Sequence, residues 1–192
     1  MDSLTTELLL SAYTQGFFPM PDQDTGEVLW YNPDPRAIIP LDGLHISRSL
    51  QRTLKRGHFS VTVNQDFPGV MAACAARPET WINEEFIRAY TQLHRQGFAH
   101  SLEVWQEAEL VGGTYGVSFG GVFCAESMFH RATDASKVAL VHLVARMQER
   151  GMALLEVQFV TEHLASLGAI QLEQSVYLSR LGEATAMPVS FA

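Results

Sequence analysis

Glu126, Glu156 and Gln158 are the residues whose types and spacing suggest acid–base chemistry. Glu156 and Gln158 lie two apart in ALLEVQF, which reads as a strand, so their side chains share a face. Glu126 stands near the end of another apolar strand, GGVFCAESMF. Two carboxylates and an amide at strand ends can bind a cation, steer an amine or accept its proton. The same residues read equally well as exposed strand-end polar groups, and spacing does not show that the two strands adjoin.

A second set suggests binding. No acidic residue occurs between Asp42 and Asp66, while Arg48, Arg52, Lys55 and Arg56 recur at helical spacing on one face, with His58 just beyond. On a chain of formal net charge −8, general attraction to nucleic acid or anionic membrane is excluded, but this local run can track several phosphates with salt-dependent affinity. The plainer reading is a solvated helix face. Trp81, Trp30 and Tyr31 can stack an unpaired base for roughly 1–3 kcal/mol each, or simply close a core edge.

Other motifs fail on context. Gly116-Val117-Ser118-Phe119-Gly120 matches G-x-S-x-G, with Asp134 and then His142 or His163 in hydrolase order. That elbow needs a strand turning directly into a helix, whereas GVFCAESMF continues as strand and no HGGG loop precedes it. Cys124 sits in an apolar strand with nothing to lower its pKa, and with Cys74 it makes too few cysteines for a disulfide framework or a zinc site. The seven histidines lack HExxH spacing, and neither a Walker sequence nor GxGxxG occurs, so no metal or nucleotide cofactor is expected.

The elements that must position these residues follow from periodicity and caps. The 192 residues, 47% hydrophobic and without repeats, suffice for one domain or a domain with a small lobe. No stretch is long and apolar enough to span a membrane, and MDSLTTELLL carries an acidic residue where a signal peptide wants a positive one, which predicts a cytoplasmic protein. Helices are expected over 6–15, 48–56, 66–77, 84–96 and from Asp134 or Ser136 to Gly151, with a short one in TEHLASL. Three prolines in VLWYNPDPRAIIPL argue against a central strand there and favour extended or edge segments. Strands are expected at 59–63, in HSLEVWQ, in LVGGTYGVSFGGVFCAESMF, in ALLEVQF and in AIQLEQ, with a soft tail after Leu181. Hairpins followed by strand, helix and strand give a mixed α/β (α+β) domain with a mainly antiparallel sheet and flanking helices, not a doubly wound nucleotide-binding fold. The expected division is a small N-terminal lobe with the basic helix over 1–58, a catalytic domain over 59–181 and a C-terminal tail over 182–192.

Taken together, FFP at 17–19, NPDPR at 32–36, LHISRSL at 44–50, TWI at 80–82, AHSLEVW at 99–105, LVGGTYGV at 110–117, FCAESMF at 123–129, ASK at 135–137 and SLGA at 166–169 resemble leucyl/phenylalanyl-tRNA–protein transferases. The blocks occur in family order over nearly the whole chain. The resemblance implies an N-acetyltransferase-like fold that uses aminoacyl-tRNA in place of CoA. It also implies transfer of Leu, Phe or Met from tRNA to the α-amino group of proteins that begin with Arg or Lys, creating an N-terminal degradation signal. No cofactor is implied, and a monomer is expected.

Residue by residue, the resemblance assigns Arg48, Arg52, Lys55 and Arg56 to the tRNA acceptor stem and Trp81 to the terminal adenosine. Phe123, Met128, Leu140 and Leu155 match the pocket for the donor side chain, with Thr114 where a larger apolar residue is common. Gln158 and Glu156 match the polar pair at the reacting centre, and Glu126 matches a glutamate there. Gln158 would orient the attacking amine, while Glu156 and Glu126 would attract the acceptor's cationic side chain and help its proton leave; an alternative passes the proton to the tRNA's terminal hydroxyl. Glu156 replaces a frequent Asp, Met20 replaces a common Trp, and the N-terminal extension of longer members is missing. The alternatives to a transferase of this kind are a CoA-dependent N-acyltransferase and a non-catalytic binder of tRNA or of basic N-termini.

Overall fold

The computed structural model describes residues 4–22, 24–77 and 80–192; Asp2, the first acidic residue of the opening stretch, lies outside them. Side-chain caps start most of the helices. Thr5 opens α1 (Thr6–Thr14), Ser47 opens α2 (Arg48–Arg56), Asp66 opens α3 (Phe67–Ala75) and Asn83 opens α4 (Glu84–Arg95), each accepting a bond from a first-turn amide. Gly57, at φ +65°, closes α2 in the left-handed conformation that glycine adopts without strain.

The strands form two sheets. A hairpin of β1 (Phe18–Pro21) and β2 (Val28–Tyr31) stands alone. The larger sheet also uses β3 (Arg36–Ile39), β4 (Ser60–Val63), β5 (Ala99–Gln106), β6 (Glu109–Phe119), β7 (Val122–His130), β8 (Leu154–Gln158) and β9 (Ile170–Leu172), in the order β4-β5-β6-β7-β8-β3-β9. Every pairing is antiparallel except β7 with β8, which α5 (Ala135–Glu149) connects. This is the expected mixed α/β class with a mainly antiparallel sheet and flanking helices.

Strand alternation sends the side chains of β7 into two of the three core clusters. Val122 and Cys124 of β7 join a cluster with Leu9, Tyr13, Phe67, Phe86, Tyr90 and Tyr177 from α1, α3, α4 and α7 (Gln174–Thr185). Phe123 and Ala125 join Leu140, Leu143, Val144 and Met147 of α5 in another. Gly112 of β6 allows the start of α5 to seat directly on the sheet, because a Cβ there would come within 2.5 Å of Ala135.

Two expectations are corrected. Residues 36–39 form β3, an internal strand between β8 and β9, because Pro33, Pro35 and Pro40 flank the strand instead of interrupting its hydrogen bonds. The segment after Leu181 is packed: α7 runs to Thr185, and Phe191 is buried against Phe123 and His100. No helix among the described residues is long and apolar enough to cross a membrane.

Candidate active site

The parallel pairing of β7 and β8 covers only Val122–Cys124 against Leu154–Glu156. Beyond it, Ala125–Met128 and Val157–Phe159 line a pocket of about 350 Å³. Phe18 and Met20 of the hairpin, Trp81 ahead of α4, Arg77 after α3, and Thr161, His163 and Leu164 at α6 (Glu162–Ser166) complete its wall. A bulge aims Glu126 into this space: Tyr115 pairs with Ser127 and Gly116 with Ala125, so Glu126 is the extra residue on β7.

Gln158 Nε2 donates to Glu126 Oε1 at 3.1 Å, so the two strands adjoin. The Tyr90 hydroxyl lies 3.4 Å from Glu126 Oε2 and shares a 2.5 Å hydrogen bond with the Tyr13 hydroxyl. Burial pushes the Glu126 carboxyl up to about 8, and the Glu156 charge adds to that rise against the opposing Tyr13 and Tyr90 hydrogen bonds and the Arg36 charge. The same burial holds both tyrosines well above their ordinary range, so they act as neutral hydroxyls.

Behind Gln158 lies a second polar layer. Its φ of +56° is rare for a residue with a side chain, and its backbone N–H donates to Glu156 Oε1 at 2.5 Å. The same carboxylate oxygen accepts from Arg36 Nε at 2.7 Å, with side-chain exposures of 1% for Arg36 and 0% for Glu156. Arg36 Nη1 donates to Gly16 O at 2.9 Å, and its guanidinium lies 4.7 Å from the ring centroids of both Phe18 and Tyr177. Arg36, anchored by Gly16, Phe18 and Tyr177, thus holds the oxygen that holds the Gln158 backbone amide.

Of the residues singled out in the sequence, Glu126, Gln158, Trp81, Thr114 and Met128 line the pocket. Glu156 does not; it is sealed behind Gln158 and its charge is matched by Arg36. Phe123, Leu140 and Leu155 are buried in the core cluster shared with α5 and do not line the pocket; Phe123 and Leu155 pair with each other where β7 and β8 are still joined. Arg48, Arg52, Lys55 and Arg56 are exposed on the side of α2 opposite buried Leu50. Among the described residues none of the four has a carboxylate within 4.0 Å, and none lines the pocket.

Sequence reasoning did not single out Arg36, Tyr13, Tyr90 or Phe159. NPDPR marks Arg36 only as a residue between prolines and a strand, and the two tyrosines sit at apolar helical positions that read as core. The rejected motifs stay inert. Ser118, 5% exposed, donates its hydroxyl to the Val122 carbonyl inside a hairpin, and no helix follows it. Burial pushes the Cys74 thiol up to about 12 and that of Cys124 well above the ordinary range. No cluster of three metal-ligating side chains occurs among the described residues.

Comparison with known proteins gives a consistent result. A family model described as leucyl/phenylalanyl-tRNA protein transferase matches residues 38–182, and one for the N-terminal domain of that family matches residues 2–34. A leucyl/phenylalanyl-tRNA–protein transferase from Ruegeria sp. is 52% identical over 190 residues, 98% of this chain and 90% of that protein. One from Gloeobacter violaceus is 50% identical over 189 residues, 98% of both chains. Among solved structures, a GCN5-related N-acetyltransferase-like protein from Streptococcus suis is 12% identical with a TM-score of 0.42, covering 88% of this chain and 64% of that one.

Proposed function

The chain belongs to the leucyl/phenylalanyl-tRNA protein transferase family, and on that premise we propose that its pocket holds the aminoacyl end of a donor tRNA while Glu126 and Gln158 align the α-amine of an acceptor protein. The chain is an aminoacyltransferase. The observation that carries the assignment of its centre is the Gln158–Glu126 contact, 3.1 Å long, where β7 and β8 part.

An aminoacyl ester is already activated, so the enzyme gains most by holding amine and carbonyl in line. The acceptor arrives as an ammonium, which must lose one proton before its nitrogen can attack. The nitrogen then bonds to the ester carbon, the bond from that carbon to the ribose oxygen breaks, and a second proton passes from nitrogen to the departing oxygen. Gln158 commits Nε2 to Glu126, which leaves Oε1 as an acceptor for the attacking N–H. Glu126, pushed up to about 8, matches the α-amine's ordinary value of roughly 8, so a proton moves between them at little cost in either direction. Burial of Tyr13 and Tyr90 fixes the carboxylate without lending it charge.

Thr114, Met128, Ala125 and Val157 offer a largely apolar bed for a Leu, Phe or Met side chain, and Met128 can adapt to each shape. Trp81 supports the adenosine. Acceptors beginning with Arg or Lys can donate hydrogen bonds to the pocket-facing carboxyl of Glu126, with Glu156 acting from behind as a support for Gln158. The α2 cations supply the phosphate contacts that draw a polyanion to an acidic molecule.

The test is transfer of labelled leucine from leucyl-tRNA, with acetyl-CoA as a parallel donor, to peptides starting with Arg, Lys or Ala. Label on the Arg and Lys peptides from tRNA alone is expected. Acetyl transfer, label spread evenly over all three peptides, or tRNA binding without transfer would each overturn the proposal.

A further inference from the structure

The α2 strip and the pocket leave a gap, since none of the four α2 cations lines the cavity. A hydrogen-bonded set of side chains leads from α2 to the start of α5. Thr53 of α2 donates its hydroxyl to Asp134 Oδ2 at 2.9 Å, and Asp134 Oδ1 accepts from Lys137 Nζ at 3.2 Å. Asp134 is nearly sealed, with 10% of its side chain exposed, whereas a third of the Lys137 side chain is open to solvent. Both carboxylate oxygens are therefore used on the buried side, and the ammonium is held by one of its three N–H groups with two left over. Burial lowers the His163 imidazole on the pocket wall, and the charges of Lys137 and His130 lower it further; Met128, two residues before His130 on β7, lines the same pocket. His130 is exposed at the end of β7, opposite Gly112, the glycine on which the first turn of α5 rests.

We infer that Lys137, flanked by His130 and His163, binds the backbone phosphates of the donor's last nucleotides between α2 and the pocket mouth. This rests on the proposed donor reading and extends it to a site of its own. A chain whose stem lies on α2 and whose aminoacyl end enters the pocket must run over this rim, and an ammonium pinned from behind by Asp134 presents its charge there without conformational cost. The fixed point charge suits a phosphate oxygen, which asks for no planar geometry.

The test compares Lys137→Gln and Lys137→Arg with the wild type, reading leucyl-tRNA binding directly over a salt series and transfer from two donors, leucyl-tRNA and leucyl-adenosine, which has no phosphate. Lys137→Gln is expected to weaken leucyl-tRNA binding about five- to tenfold at low salt and to reduce the slope of log affinity against log salt by about 1. Lys137→Arg should recover most of the loss. Transfer from leucyl-adenosine should match the wild type. Unchanged tRNA binding and slope, or an equal loss with both donors, would overturn the inference. An Arg48→Glu/Arg52→Glu variant run alongside separates the two layers: if it loses tRNA affinity while Lys137→Gln does not, only the rim site fails. If neither variant changes tRNA binding, the proposed RNA path fails with it.

Discussion

Arg36 and Arg48 are the same residue type under opposite physical conditions. The Arg36 guanidinium is 1% exposed, clasped between two aromatic rings and paired with a buried carboxylate, whereas Arg48 stands in solvent with three more cations on its helix face. Around Arg36 the dielectric is low, water does not screen, and every charge needs a partner in the fold. Along α2 the charges are hydrated and screened, contribute little to folding, and remain available to a polyanion. The pocket's electrostatics are therefore structural first and chemical second. The charges of α2 are exposed and have no carboxylate partner among the described residues.

The largest effects should come from breaking the buried side of this contrast. Arg36→Met leaves Glu156 charged and unpaired in the interior, which is expected to cost about 3–5 kcal/mol in urea denaturation. Adding Glu156→Leu should return much of that stability while transfer stays lost, because nothing then holds the Gln158 amide. Wild-type stability in the single variant would show that this region obeys the same rules as α2.

Glu126→Gln should come next, with transfer falling about 100-fold, the lower range for loss of a positioned proton-transfer group. The sign of its pH dependence follows from the raised carboxyl. Between its ordinary value of 4.5 and about 8 the folded protein keeps a proton that the unfolded chain has released, so wild-type stability falls as pH rises through that window. Gln does not titrate. The variant should therefore gain on the wild type in denaturation midpoint from pH 5 to pH 8, while its relative transfer rate declines as pH approaches 8. A constant ratio of rates across that range would remove Glu126 from proton transfer.

The same contrast explains what the sequence discloses. Helix α2 is legible because its cap, its closing glycine and its cations all lie within about one dozen residues and obey one period. The strands holding Glu126 and Gln158 are legible by alternation. Their meeting is not, because it depends on a one-residue bulge in β7 that no local signal marks. Arg36 is less legible still, since its partner lies 120 positions away and only the sheet order brings the two together. Helix α7 hides for a different reason: it lacks a side-chain cap at Glu173, and Gly182 interrupts it, so packing of Tyr177 and Leu181 stabilises what local propensity does not announce.

On the exposed side, reversing charge with Arg48→Glu and Arg52→Glu should weaken leucyl-tRNA binding roughly tenfold at moderate salt and flatten the salt slope by about 2, one unit for each phosphate left without its cation. Thermal unfolding should stay where it is, because the two side chains are exposed and have no partners in the fold among the described residues. A large fall in unfolding temperature would mean that α2 carries structural charge after all, and the contrast with Arg36 would disappear.

The smallest expected effect belongs to Ser118, the residue whose surroundings in sequence most resemble a nucleophile's. Its hydroxyl is inside the β6–β7 hairpin and donates to the Val122 carbonyl at 3.0 Å, so it has a structural partner and no route to the pocket. Ser118→Ala removes one neutral hydrogen bond, a loss of about 1 kcal/mol that denaturant titration can resolve. Transfer from leucyl-tRNA should be unaltered, since in the proposed reaction the bond forms directly between the acceptor nitrogen and the ester carbon. A covalent aminoacyl-enzyme on Ser118 would require the oxygen to leave a buried strand and cross the sheet toward Glu126. Detection of that adduct by mass spectrometry, together with loss of turnover in the alanine variant, would replace direct attack by a two-step route and would make the apolar hairpin, not the splayed strand ends, the reacting centre.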